Sequence, residues 1–189
     1  MKRIILASKS PRRRELLSSL TDAFDVITEN VDETLPIGID IKAGTELLAI
    51  RKGRAVAEKE PCALVISSDT LVELDGIPLG KPADCEDAHR MLRSLSGRTH
   101  NVHTGVAVHF VGRVYSGVAT SRVTFKSLSD EEIDEYIATG EPMDKAGSYG
   151  IQGIGGKFVE RYDGDFDTIM GLSMVLVREL VDKAGGLDD

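Results

Sequence analysis

The sequence predicts an α/β fold: a mixed, twisted sheet flanked by helices, within one domain. Three observations lead there. Short continuous apolar runs, Ile4-Ile5-Leu6-Ala7 and the stretch opening at Ala63, read as buried strands. Segments with helical apolar spacing and cap signals alternate with them. Two long strands, joined at Val111-Gly112, place a hairpin in the middle of the chain.

Each element has a local reason. Ser10 is a good N-cap, and Pro11 stands at the first helical position, where its missing N–H does no harm. Leu16, Leu17 and Leu20 then give one apolar face. Phe24 to Thr28 reads as a second strand, followed by a polar segment with Asp32 and Glu33. Thr45 caps a helix running to about Lys59, with Leu47, Leu48, Ala55 and Val56 in the core. Ala63 to Val72 is the most apolar strand, interrupted by Ser67-Ser68-Asp69-Thr70. Asp75-Gly76 is a hairpin-type turn. Asp84 starts a helix whose Ala88, Met91, Leu92 and Leu95 repeat at helical spacing, and Gly97 stops it. The long strands cover Thr99–Phe110 and Arg113–Phe125. Ser129 and Glu132 form a capping box for a helix ending at Gly140. Gly147 to Gly156 is glycine-rich, and Phe158 to Tyr162 alternates like a strand. A last helix covers about Met174 to Ala184, with Gly185 as its stop signal.

Composition narrows the function classes. The 189 residues are 41% hydrophobic and 29% charged, as in a globular domain with a real core. Asp and Glu number 31 against 23 Lys and Arg, a net charge of −8. That argues against a bulk electrostatic grip on nucleic acid, though a local basic pocket stays open. No apolar run approaches the length of a membrane helix, and the N-terminal run is a strand rather than a secretory signal. Cys62 and Cys85 read as reduced thiols of a cytoplasmic protein, a disulfide being the alternative.

The puzzle lies in Ser8-Lys9-Ser10-Pro11-Arg12-Arg13-Arg14. A helix N-terminus carries partial positive charge and disfavours cations. Arg12 and Arg13 sit beside the free N–H groups of the first turn, so a polyanion such as a phosphate chain would offset them. Arg14 reads equally well as surface. Asp69 breaks an apolar strand, where an ionised carboxylate is costly unless paired or bound to metal. It is a metal ligand or general base, or else a strand-end Asp bonded to local backbone. Glu33 is a second acidic candidate. Gly80-Lys81-Pro82 constrains where the Lys81 ammonium reaches. Lys52, between Arg51 and Arg54, reads by itself as part of a surface stripe. The segment Gly150–Lys157 fails the Walker A template at Ile151 and Phe158, and fails GxGxxG at Phe158. A loop that hugs another group remains expected, with Gln152 able to read a base edge through its amide. His100 and His103 lie three apart on a strand and face opposite sides, so no histidine metal site is expected.

Taken together these stretches resemble the Maf family of nucleoside triphosphate pyrophosphatases, over nearly the whole chain. The marks are Leu6-Ala7-Ser8-x-Ser10-Pro11-Arg12-Arg13, Glu33, Lys52, Ser68-Asp69-Thr70, Gly80-Lys81-Pro82, Ser96-Gly97-x-Thr99-His100, and Asp144 through Gly153. The resemblance implies a cytoplasmic enzyme that hydrolyses a nucleotide between its α and β phosphates, releasing the monophosphate and pyrophosphate. The intact Tyr149-Gly150-Ile151-Gln152-Gly153 is similar to the dTTP/UTP branch, whereas the 7-methyl-GTP branch tends to lack that Gln. It also implies a fold similar to inosine triphosphate pyrophosphatases, two lobes around a nucleotide cleft, a homodimer, and a link to arrest of septum formation.

Carried over residue by residue, Asp69 matches the proton acceptor and, with Glu33, the holder of a divalent cation, Mg²⁺ or Mn²⁺. Ser8, Arg13, Lys52 and Lys81 match phosphate-handling positions. Arg12, Thr70 and Gln152 match positions that influence base choice. Two departures stand out. Gly53 follows Lys52 where the family mostly has Ala, and a mid-helix glycine costs up to about 1 kcal/mol. Ser173 stands where a Pro is usual. Three other readings compete: a 7-methyl-GTP pyrophosphatase, a nucleotide-binding septation regulator without needed turnover, and a phosphate-sugar or nucleotidyl transferase.

Overall fold

The computed structural model describes residues 2–187. They form seven strands and six α-helices. The strands are β1 (Ile4–Leu6), β2 (Asp25–Val26), β3 (Leu64–Leu74), β4 (Ile77–Leu79), β5 (Thr99–Phe110), β6 (Arg113–Phe125) and β7 (Val159–Asp163). The helices are α1 (Pro11–Ser18), α2 (Ile41–Ala57), α3 (Cys85–Leu95), α4 (Asp130–Ala138), α5 (Phe166–Met170) and α6 (Met174–Lys183). Among the described residues the strands make one mixed sheet in the order β2-β1-β3-β5-β6-β7, with β4 paired to β3. β1 runs parallel to both β2 and β3, while β4 and β7 pair antiparallel with β3 and β6.

The chain divides into two compact units. The first holds residues up to Asp69, Thr104–Ala119 and those from Gly171 onward; the second holds Thr70–His103 and Thr120–Met170. β3, β5 and β6 each contribute residues to both.

In the first unit, strand side chains alternate strictly between two cores. Ile4, Leu6, Leu64 and Ile66 pack with Leu17 of α1 and with Val177, Leu180 and Val181 of α6. Ile5, Ala7 and Val65 point to the other face, against Val56 of α2. Both faces of the parallel strands are therefore covered, which explains why they read as unbroken apolar runs. In the second unit, Met91, Leu92 and Leu95 of α3 and Ile133 and Tyr136 of α4 pack on Val72, Val102, Val123 and Phe125. Edge-to-face contacts chain His100, Phe125 and Tyr149 together, at centroid separations of 4.7–5.4 Å.

Most predicted elements stand where expected. β5 and β6 have the predicted bounds, and the Val111-Gly112 link has both residues at positive φ, the primed-turn geometry of a two-residue hairpin. The capping box forms in full, Glu132 N–H to Ser129 Oγ at 3.2 Å and Ser129 N–H to the Glu132 carboxylate at 2.8 Å.

Four expectations need correction. The strand predicted over Phe24 to Thr28 is only Asp25–Val26. α2 starts at Ile41 and ends at Ala57, because Asp40 rather than Thr45 is its cap: the Asp40 carboxylate accepts from Ala43 N–H at 3.1 Å. Thr45 lies inside the helix and returns its hydroxyl to Ile41 O at 2.7 Å. Leu47 and Ala55 are only half-buried. The short helix α5 and the 3₁₀ turns at Glu141–Asp144, Ala146–Ser148 and Ile154–Phe158 carry no periodic signal in the sequence.

The two departures from the family pattern find physical reasons. Ser173 is the N-cap of α6, accepting from Leu176 N–H at 3.4 Å. Gly53 is a notch rather than a loosened turn. A Cβ there would fall 2.5–2.6 Å from the His109 ring of β5, and closer still to Ser67 Oγ. The converse notch is Gly105 of β5, where a Cβ would lie 2.6 Å from Thr45 O. Midway, Ser67 Oγ donates to Ala49 O at 2.7 Å. Thr45, Ala49 and Gly53 recur every four residues on α2, spanning roughly 12 Å; residues 105 to 109 of an extended strand span roughly 13 Å. The two rises match, so the depth and rotation of α2 on the sheet are fixed.

Candidate active site

β1 ends at Leu6, opposite Ile66 of the parallel strand β3, which runs on to Leu74. Polar side chains follow that register on both strands: Ser8 and Ser10 after β1, Ser67, Ser68 and Asp69 along β3. Ligand sites of open α/β sheets form at such carboxyl ends.

Ser10 caps α1 as predicted, its Oγ 3.5 Å from the Arg13 N–H. Arg13, at the third helical position, turns back into the protein. Its Nε donates to Gly171 O at 2.8 Å, and one terminal nitrogen donates to Ser68 O at 2.8 Å and to Ser8 Oγ at 3.3 Å. Ser68 Oγ meets the same Gly171 carbonyl at 2.8 Å, and Gly105 O at 2.8 Å. Arg13 thus ties three segments together directly behind Asp69. Burial lowers its pKa from the ordinary arginine value; Asp69 and Glu33 oppose that, and Arg12 adds to it. Those same influences place both carboxylates and Arg12 within electrostatic reach of Arg13. Arg12 is half-buried and Arg14 exposed, in keeping with the surface reading of Arg14.

Lys52 is not part of a surface stripe. Held by α2 at a fixed depth, its Nζ lies 2.5 Å from Asp69 Oδ1 and 2.9 Å from Glu33 Oε1. The Asp69 side chain is only 10% exposed, against 61% for Glu33. The two acids therefore differ: one is anchored in a strand at the core's edge, the other is largely solvated. Both aim at one point, which the ammonium occupies.

The second unit carries the remaining predicted residues. Thr70 follows Asp69 in β3 and is half-buried. Lys81 is exposed in the turn after β4, and the adjacent Gly80 carbonyl accepts from Gly147 N–H at 3.0 Å. Gln152 is exposed at the tip of the glycine-rich loop. The two histidines have separate partners: His100 meets the Tyr149 hydroxyl at 2.8 Å, and His103 bridges Glu73 at 2.7 Å and Thr120 at 2.8 Å.

Among the described residues, no three His, Cys, Asp or Glu side chains gather as a metal cage. The donor set of Asp69 and Glu33 does suit a hard divalent cation. Such ions bind through one or two carboxylates and complete their shell with phosphate and water oxygens.

A family model described as Maf-like protein matches residues 3–184. The chain belongs to the Maf family. A protein of Pelotomaculum thermopropionicum named dTTP/UTP pyrophosphatase is 47% identical over 98% of both chains. One of Moorella thermoacetica with the same name is 48% identical, over 96% of this chain and 94% of the relative. Among solved structures, the Ham1 protein of Staphylococcus aureus aligns with a TM-score of 0.50 and 20% identity, over 95% of this chain and 91% of that one. This likeness concerns the fold alone, and it agrees with the mixed sheet flanked by helices. Among the described residues no helix is long and apolar enough to cross a membrane.

Proposed function

We propose that this Maf protein is a dTTP/UTP pyrophosphatase that hydrolyses the α–β phosphoanhydride bond. Relatives of that name match it at 47–48% identity over nearly the full length. The observation that carries the reading onto this chain is the Lys52 ammonium held between Asp69 and Glu33.

Asp69 accepts the proton of the attacking water. Water oxygen bonds to the α-phosphorus, the bond from that phosphorus to the bridging oxygen breaks, and pyrophosphate leaves with the electron pair. The Asp69 carboxylate is fixed by its strand and by the clamp behind it, so little reorganisation accompanies the proton transfer. Lys52 is a point charge on a flexible stem, able to trade a carboxylate oxygen for a phosphate oxygen. With the first turn of α1, it offsets the charge gathering on the departing pyrophosphate. Ser8 and Arg12 complete the phosphate and base contacts. A Mg²⁺ or Mn²⁺ held by Asp69 and Glu33 would supply a water of lowered pKa and neutralise phosphate charge.

The test is a nucleotide panel with Mg²⁺ and Mn²⁺, scored for pyrophosphate rather than orthophosphate. dTTP and UTP should lead, and Asp69→Asn should lower turnover about 10²-fold or more. Faster turnover of 7-methyl-GTP would move the protein to that branch. Near-normal pyrophosphate release by Asp69→Asn would remove Asp69 from the role of base.

A further inference from the structure

The glycines around Gln152 have a partner within the chain. The Glu141 carboxylate enters the concave side of the 150–156 loop. It accepts from Ile154 N–H at 2.9 Å, from Gly155 N–H at 3.1 Å and from the Tyr136 hydroxyl at 2.8 Å. Tyr136 Oη in turn accepts from Gly150 N–H at 3.2 Å. Lys145 Nζ closes the other end of the turn on Glu141 O at 2.8 Å. The loop is glycine-rich because these groups fill it. A Cβ at Gly153 would fall 2.5–2.6 Å from the Glu141 carboxylate oxygens, and one at Gly155 would fall 2.6 Å from the Tyr136 hydroxyl. Successive N–H groups in such a turn make an anion nest, the arrangement other loops use for phosphate. Here the anion is an internal carboxylate, so the nest is already filled.

We infer that Glu141, seated through Tyr136, is the positioning residue of the base-reading loop. It fixes the backbone on both sides of Gln152 and so sets the reach of the Gln152 amide. The inference rests on the reading of Gln152 as a base contact. Tyr136 of α4 is fully buried with its ring edge-on to Phe158, which gives the carboxylate a rigid support. The consequence is a division of labour. Discrimination depends on a pre-ordered amide, because an amide presents a donor and an acceptor that match a base edge only in one orientation. Loosening the loop should erode discrimination and raise KM more than it lowers turnover.

The experiment compares Glu141→Gln, Tyr136→Phe and Gln152→Ala with the parent protein. It measures kcat and KM for dTTP and dCTP, together with amide exchange at Ile154 and Gly155. Gln152→Ala should lower the dTTP/dCTP ratio of kcat/KM roughly tenfold. Glu141→Gln keeps the shape but loses one acceptor oxygen, and Tyr136→Phe keeps the ring but loses the hydroxyl. Each should lower the ratio several-fold, mainly through KM, and speed exchange at the two amides. If Gln152→Ala leaves the ratio unchanged, the base-contact reading is wrong. If Gln152→Ala lowers it while both other variants retain it, Glu141 is not the positioning residue. A uniform fall in kcat with the ratio preserved would likewise overturn the inference.

Discussion

Arg13→Ala separates two roles for the arginine-rich helix start. The guanidinium donates to Gly171 O, Ser68 O and Ser8 Oγ. A hydrogen bond with one charged partner contributes about 1.5–3 kcal/mol. The loss at Gly171 is cushioned, because Ser68 Oγ still donates to that carbonyl at 2.8 Å. The contact with Ser8 is long and counts for little. Removing the charge also relieves repulsion from Arg12 and from the helix dipole, worth about 0.3–1 kcal/mol. The net cost comes to about 2 kcal/mol, and a chain of this size loses about 2–4 °C in Tm per kcal/mol, giving about 4–8 °C.

The assay is thermal unfolding by circular dichroism, without nucleotide and with dTTP at saturation. Ligand at 100 times Kd adds about 2.7 kcal/mol to the parent. A clamp predicts that the ligand-free Tm falls by the amount above. A pure phosphate contact predicts an unchanged ligand-free Tm and a smaller nucleotide shift. The second pattern would refute the clamp.

Two further outcomes follow from the packing. Gly53→Ala should destabilise the protein by about 1–3 kcal/mol through overpacking, despite alanine's better helix propensity. Adding His109→Ala should recover part of that loss, read as a positive coupling in a denaturant-melt double-mutant cycle. Burial lowers the His100 pKa from 6.5 to about 4, so the fold favours its neutral form. Its contribution is fully present above pH 6.5 and is lost as pH falls toward 4, about 3 kcal/mol in all. Burial lowers the His109 pKa too, with help from Arg54, and acts in the same sense. His100→Phe should therefore flatten the fall of Tm between pH 6.5 and pH 4.

The fold was legible wherever the signal was local. Strand bounds at β5 and β6, the capping box at Ser129 and the apolar stripe of α3 all depend on residues within a few positions of one another. Thr45 reads as the cap of α2 and Asp40 is overlooked, although both carry a side-chain oxygen able to accept from a first turn. The acids and Lys52 were legible as a set only through resemblance. Lys52 and Asp69 lie 17 residues apart, and the neighbours Arg51 and Arg54 put Lys52 on a surface stripe. Glu141 was missed. Its targets, Ile154 and Gly155, are 13 and 14 residues away. The glycines announced a close approach without naming what approaches.

The three arginines now divide by direction. Arg14 is exposed, Arg13 turns inward to hold Ser68, and Arg12 is half-buried beside them. A cation used as a clamp removes part of the electrostatic conflict that made the segment look wrong for a helix start, because its charge is met by carbonyl oxygens and by nearby Asp69 and Glu33. The rest of the conflict stays, and so does its opposite: two carboxylates beside a polyphosphate repel it unless cations stand between. Lys52 already stands there, 2.5 and 2.9 Å from the two acids. In the proposed mechanism, surplus cation at α1 and surplus anion at Asp69 and Glu33 are complementary halves of one requirement, met when a triphosphate and a divalent cation enter together.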